Sequence, residues 1–285
     1  MKIINLIENT EGSRHCACEH GLSFYIETEK HTLLMDTGAS GLLLENAKKL
    51  GVDLTKVDTV VLSHGHYDHG GGILPFVQIN PDAVIYLHRD ACRAYYSTRW
   101  ETKELRYVGL DPDIRELKQA VFVTGTYRID DELTLFSDIG SSRDVPDGNR
   151  ALKVRVANGG GYELIQDDFR HEQCLVISEG NKKVLLSGCA HHGILNVMDR
   201  FRELFGEDPD VVISGFHMMK HEGYTPEDED GIIRTARALR EYRSVFYTGH
   251  CTDVKPFEDM KKIMGDQLLY VHCADEIPIF EEAGK

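Results

Sequence analysis

Thr59-Val60-Val61-Leu62-Ser63-His64-Gly65-His66-Tyr67-Asp68-His69-Gly70-Gly71-Gly72 is the stretch that decides how this chain is read. Thr59 to Leu62 is a short apolar, β-prone run, the signature of a buried strand. Three histidines and one aspartate then fall within six positions, and a glycine run leads into Ile73-Leu74. The cluster therefore sits on a strand-to-helix connection, where an open α/β sheet places its chemistry. Imidazole nitrogen together with carboxylate oxygen suits zinc, and also iron or manganese. So short a loop does not deliver all four side chains to one ion. His64 and His66 are expected to point one way and Asp68 and His69 another, toward two adjacent divalent metals.

Outward from this loop, strands are expected over 2–7, 23–27, 31–35, 58–62 and 84–88. A helix is expected from Ser40 to Leu50, with Gly51 as its stop. A polar insertion, about residues 89–120, reads as helical, and Val121 to Phe136 as β-rich. Ser137 to Asn149 is rich in Ser, Asp, Gly and Pro and reads as a flexible loop near the mouth of the site. Asn196–Phe205 and Glu227–Tyr242 read as amphipathic helices; in the latter Ile232, Ile233, Ala236 and Leu239 form the apolar face. Asn158-Gly159-Gly160-Gly161 is a turn between strands, because no helix follows it.

Composition narrows the function classes. The formal net charge of -15 argues against nucleic acid or an anionic membrane as partner. No apolar run approaches the ~18 residues of a membrane span, and Met1 to Glu8 reads as a first strand rather than a secretion signal. Seven cysteines without dense spacing favour a reducing, cytoplasmic setting over a disulfide framework. Cys16-x-Cys18 beside His15 and His20 is read as an ordinary loop. The motifs run from one end of the 285 residues to the other with no linker between them, so one domain is expected over 1–285.

These residues carry a resemblance. His64-x-His66-x-Asp68-His69 resembles the signature of the metallo-β-lactamase superfamily, and further pieces match in order. They are Leu33-Leu34-Met35-Asp36-Thr37-Gly38, Val184-Leu185-Leu186-Ser187-Gly188-Cys189-Ala190-His191 and Val245-Phe246-Tyr247-Thr248-Gly249-His250-Cys251-Thr252. The resemblance implies an α/β fold of the α+β type, a four-layer αββα sandwich that holds two metal ions. Glu19-His20-Gly21-Leu22-Ser23, Gly188-Cys189-Ala190-His191-His192-Gly193-Ile194, Gly215-Phe216-His217 and Gly249-His250-Cys251-Thr252 are similar to the dihydropteroate-synthase-like, methanopterin-type branch. That branch takes its name from archaeal enzymes that join a dihydropterin diphosphate to a ribofuranosyl-aminobenzene phosphate.

The resemblance also distributes roles. His64, His66 and His191 are expected to hold one ion, and Asp68, His69 and His250 the other. His171 lies about where many relatives carry a third histidine; His191 is preferred because the branch sets its histidine in Gly-Cys-x-His. Asp36 is expected to brace the loop by accepting from a ligating imidazole. The family's bridging aspartate follows a glycine at a strand end, whereas here Gly188 is followed by Cys189. Cys189 is expected beside the metal pair without bridging it, since one sulfur does not reproduce two carboxylate oxygens. His20 and His217 are expected to contact substrate, with Asp68 orienting a metal-bound hydroxide or carrying a proton, and His217 or metal-bound water protonating the leaving group.

The expected activity is hydrolysis of an anionic, phosphate-containing small molecule, with zinc as the first choice of metal. A transferase of the methanopterin type and a diiron redox protein are the alternatives. Substrate, metal identity and homo-oligomeric state stay open.

Overall fold

The computed structural model describes residues 1–98, 102, 104–220 and 222–279. Among these, two seven-stranded sheets lie face to face. The first runs in the order Glu276–Ile277, Lys2–Ile7, Ser23–Glu27, Thr32–Met35, Thr59–Val61, Val84–His88, Ala120–Val123. The second runs Leu268–Tyr270, Val245–Thr248, Val211–Ile213, Lys182–Leu186, Cys174–Glu179, Leu133–Phe136, Thr126–Arg128.

The layering follows from the two-residue period of a strand. Phe24, Ile26, Leu33, Met35 and Val61 of the first sheet share one buried cluster with Leu133, Leu135, Leu175, Ile177, Val184 and Leu186 of the second. The residues between them face outward. Tyr25, Leu34 and Val60 pack with Leu43, Ala47, Ile73 and Phe76, from the helices Leu42–Leu50 and Ile73–Ile79. Val176, Leu185 and Val212 pack with Val197, Phe201, Ala236 and Met260, from the helices Ile194–Phe205, Pro226–Leu239 and Val254–Met264. Helices thus cover both outer faces, giving the expected αββα sandwich.

Several expected elements form nearly as read. The first helix starts two residues late, at Leu42, and stops at Gly51, whose φ of 72° is the left-handed conformation a helix end needs. Thr225 and Asp228 form a reciprocal cap on the helix Pro226–Leu239. Ile232, Ala236 and Leu239 are buried, while Ile233 is half-buried.

The insertion corrects the reading. Instead of helix, the described part of 89–120 holds the strands Tyr95–Thr98 and Leu105–Tyr107 and a short 3-10 turn, Pro112–Glu116; residues 99–101 and 103 lie outside the description. Tyr95-Tyr96-Ser97-Thr98 is an aromatic and hydroxylic run that favours a pleated surface. It pairs antiparallel with Leu152–Asn158, which pairs with Gly161–Gln166, to make a third, four-stranded sheet. This sheet touches the metal-binding-type loop: Tyr67 N–H donates to Val108 O at 2.9 Å.

Both large sheets contain parallel strands, and these aim the chemistry. Thr32–Met35, Thr59–Val61 and Val84–His88 are parallel neighbours, as are Lys182–Leu186, Val211–Ile213 and Val245–Thr248. Asp36, Ser63-His64, Cys189, His217 and His250 all follow the carboxyl ends of these strands. Open sheets gather ligand-binding residues at such ends.

Candidate metal centre

Two glycines let the loops close in. A side chain at Gly65 would put its Cβ 2.1 Å from Ala91 O, and one at Gly188 would come within 2.2 Å of Ser63 Oγ. Real Cβ atoms do not approach so closely, so only glycine permits the loop of 63–69 to pack against its neighbours.

Four imidazoles are then held by Nδ1 and present Nε2 inward. His69 Nδ1 donates to Asp36 Oδ2 at 2.7 Å. Ser63 gives Asp36 both its N–H and its hydroxyl, each at 2.7 Å. With its proton committed to Asp36, Ser63 Oγ accepts from His64 Nδ1 at 2.9 Å. Asn149 clasps His191: its Oδ1 accepts from Nδ1 at 2.9 Å and its Nδ2 donates to His191 O at 2.7 Å. Asn9 clasps His250 in the same way, with Oδ1 at 2.9 Å from Nδ1 and Nδ2 at 3.3 Å from His250 O. Each partner fixes the tautomer that leaves Nε2 with a free lone pair.

Those Nε2 atoms meet in pairs. His64 and His191 approach to 3.3 Å, and His69 and His250 to 3.2 Å. Two nitrogens about 2.0–2.1 Å from one tetrahedral zinc stand about 3.3 Å apart, so each pair has the spacing of one ion's ligands. Asp68 Oδ2 lies 3.5 Å from His250 Nε2 and 3.7 Å from His69 Nε2. Cys189 Sγ is 3.2 Å from His69 Nε2. Ligand atoms of His64, Cys189 and His191 lie within 4.8 Å of one another, and so do those of His69, Cys189 and His250. The sulfur expected to stand aside therefore belongs to both groups.

His66 is buried, with its ring centroid 4.6 Å from that of His64 and 5.1 Å from that of His191. Its Nε2 has no hydrogen-bond partner, an orphaned buried atom of the kind an ion would satisfy. Burial, reinforced by neighbouring imidazoles, pushes His64 and His191 well below the ordinary histidine range. Burial, with His171 nearby, pushes His66 down to about 3. These rings are therefore neutral, as ligation requires. Burial would also lower His69, but Asp36 and Asp68 outweigh it and raise that ring to about 9. The donor set fits a pair of divalent ions: imidazoles, a carboxylate and a sulfur converge from three loops.

Ligand atoms of His66, Asp167 and His171 also lie within 4.8 Å of one another, but both ring nitrogens of His171 already have partners. Its Nδ1 accepts from Gly65 N–H at 2.8 Å, which leaves Nε2 to donate to Asp167 Oδ2 at 3.1 Å. Tyr95 lies over its other face, with centroids 4.1 Å apart. It braces the loop while His191 occupies the position beside His64. Asp36, with a φ of 61°, accepts directly from His69 and reaches His64 through Ser63 Oγ.

The two expected substrate contacts lie on different sides. His20, with half its side chain exposed, sits at the rim with Nε2 3.3 Å from Asp68 Oδ2, and Asp68 raises it above its ordinary value. His217 packs its ring 4.2 Å from that of His191, with Nδ1 buried and unpartnered. Cys16 and Cys18 pack with Cys273 and Ala274, apart from these groups.

Sequence reasoning missed five supporting residues. Glu172 accepts from the N–H of His191 and of His192, Glu8 accepts from the N–H of His250, Phe169 stacks on His191 at 4.4 Å, and Asn9 and Asn149 form the clasps. Asn149 closes the loop expected at the mouth of the site, yet it is buried and anchored.

Among known proteins, residues 17–230 match the model of the metallo-beta-lactamase superfamily. The chain is 27% identical over 271 residues to the 7,8-dihydropterin-6-methyl-4-(beta-D-ribofuranosyl)-aminobenzene-5'-phosphate synthase of Methanocaldococcus jannaschii, covering 90% of this chain and 88% of that protein. An uncharacterized protein of the same organism is 29% identical over 224 residues, 75% of this chain and 78% of its own. The crystal structure of Tm1679, described as a metal-dependent hydrolase of the beta-lactamase superfamily, superposes with a TM-score of 0.81 at 27% identity, covering 98% and 99% of the two chains. The fold protein YhfI of Bacillus subtilis superposes at 0.54 with 15% identity over 97% and 99%. With its sandwich, its loop order and its clustered imidazoles all in place, the chain belongs to the metallo-beta-lactamase superfamily.

Proposed function

We propose that this chain is a dinuclear metal-dependent hydrolase acting on an anionic, phosphate-containing small molecule. The observation that carries the reading is the set of four imidazoles locked by Nδ1, with Nε2 atoms paired at 3.2–3.3 Å. His64, His66 and His191 would hold one ion, and Asp68, His69 and His250 the other, with zinc the first choice. Bound there, such ions supply Lewis acidity toward a phosphoryl or acyl oxygen and lower the pKa of a water.

The chain's own residues supply the rest. Asp68 faces His20 across 3.3 Å at the rim, so a proton taken up at Asp68 Oδ2 has a path outward through His20 Nε2. His217 lies on the opposite side, packed against His191, and donates to the departing oxygen. A net charge of -15 makes the ions the chief attraction for an anionic substrate. The protein works in the cytoplasm, where its seven cysteines stay reduced.

A second reading is a transferase joining a dihydropterin diphosphate to an aminobenzene ribofuranosyl phosphate. Likeness to the Methanocaldococcus synthase over 90% of this chain supports it. One experiment separates the two. Purified, metal-loaded protein is incubated with phosphodiesters, phosphomonoesters, esters and a dihydropterin diphosphate, with and without the aminobenzene acceptor. Turnover in water alone supports hydrolysis. Pyrophosphate release that depends on the acceptor supports transfer and refutes the hydrolase. Metal content of less than one equivalent in the active protein refutes both.

A further inference from the structure

We propose that Cys189 supplies a thiolate shared by the two ions, in the place where the superfamily's usual pattern has a bridging carboxylate. The inference rests on the two-ion reading above and concerns one ligand within it. Three observations converge. Cys189 follows Gly188 after the carboxyl end of Lys182–Leu186, the same strand end that delivers His191. Its Sγ belongs to both candidate groups, with His64 and His191 on one side and His69 and His250 on the other. Its 3.2 Å approach to His69 Nε2 is near the about 3.5 Å edge expected for one nitrogen and one sulfur on a tetrahedral zinc.

The surroundings hold the sulfur there. Cys189 is buried, and Ala190 after it takes a left-handed φ of 51°, a conformation that turns the chain between Cys189 and His191. Gly188 lies so close to Ser63 that no larger residue fits, which fixes the cysteine against the loop of 63–69. A second thiol, Cys251, stands behind it: Cys251 Sγ lies 3.7 Å from Cys189 O and 3.3 Å from the N–H of His217. Cys189, His217 and Cys251 also have ligand atoms within 4.8 Å of one another, so Cys251 backs the sulfur, while only Cys189 joins the groups of His64 with His191 and of His69 with His250. A sulfur common to both ions makes the centre soft, favouring zinc or iron over magnesium or manganese.

The binding step balances simply: the thiol gives its proton to solvent as the ions enter, and no redox change occurs. The test uses the full-length protein freed of metal and reloaded with cobalt(II) or zinc(II). Cobalt is followed by its sulfur-to-metal charge-transfer absorption, and zinc by X-ray absorption. A shared thiolate gives two equivalents of metal, a charge-transfer band, and one sulfur per zinc at ~2.3 Å. A thiolate on one ion alone gives half a sulfur per zinc and overturns the proposal, as does two-ion loading without the band. Loading of only one equivalent instead refutes the two-ion reading on which it stands. Cys189→Ser should lose the band and hold one ion weakly; Cys251→Ser should keep both ions and the band. Should the serine variant fail to fold, Cys189→Asp restores a carboxylate: two ions without the band support the proposal, and a persisting band refutes it.

Discussion

Asp36→Asn should weaken both ions, and the one held by His69 more. Asp36 is fully buried and accepts three hydrogen bonds, from Ser63 N–H, Ser63 Oγ and His69 Nδ1. The substitution keeps the shape but turns one acceptor oxygen into an NH₂ donor. Keeping the remaining oxygen on Ser63 N–H aims that NH₂ at His69 Nδ1 and Ser63 Oγ. His69 then either keeps its Nδ1 proton, leaving two buried donors face to face, or shifts it to Nε2 and blocks ligation. An unmade buried hydrogen bond costs about 1–3 kcal/mol, which matches the 10–100-fold loss of metal affinity typical when such a support is removed. His64 feels the change only through Ser63, whose hydroxyl is able to rotate. Ser63→Ala should therefore weaken the ion on His64 while sparing the one on His69. The assay is competitive titration of metal-free protein with a chromophoric chelator, resolved into two steps, with circular dichroism as the folding control. Unchanged affinity of both steps in folded Asp36→Asn protein would refute the tautomer argument.

The other predictions follow the same frame. Asn149→Ala should weaken the ion on His191 and Asn9→Ala the ion on His250, each about 10–100-fold; equal loss at both steps from either variant would contradict the separate clasps. Gly65→Ala drives a Cβ into Ala91 O and should lower both metal content and melting temperature, measured by elemental analysis and calorimetry; a variant retaining both would show the loop to be looser than drawn. His31 lies between Asp58 at 2.8 Å and Asp130 at 2.7 Å, linking the two large sheets. Burial lowers its pKa, the two carboxylates raise it more, and the net shift is upward. Its stabilisation is therefore full below about pH 6.5, the unfolded value, and lost as pH rises through the folded one. His31→Ala should cost about 1 kcal/mol at pH 6, discounted for partial exposure, and much less at pH 9; equal losses in melts at the two pH values would sink the idea.

The sandwich was legible because strand alternation is written residue by residue. Leu33-Leu34-Met35 and Leu175-Val176-Ile177 are apolar on both faces, as strands buried between a partner sheet and helices must be. The ligand loop was legible because its residue types have few other uses at that density. The supports were not, because Asn9, Asn149, Glu8 and Glu172 are ordinary loop residues until the fold brings them to a histidine 19 to more than 200 positions away. The insertion misled for a different reason: its polar composition suits a helix, and only pairing with Leu152–Asn158 reveals the strand.

The supports also share a logic that no repeat in the sequence discloses. His191 has a glutamate on its N–H and an asparagine on its ring and carbonyl; so has His250. For His250 the two partners are adjacent, Glu8 and Asn9, at the end of the first strand. For His191 they come from separate loops, Asn149 and Glu172, so chain order hides the likeness. Left-handed backbone recurs as well, at Ala190 and at His250 itself. Strain of this kind persists only where surrounding bonds overdetermine it. A glutamate holding the backbone and an asparagine holding both ring and carbonyl do so in each half. Each clasp leaves its histidine one tautomer and one direction for Nε2, and the two directions converge on either side of Cys189.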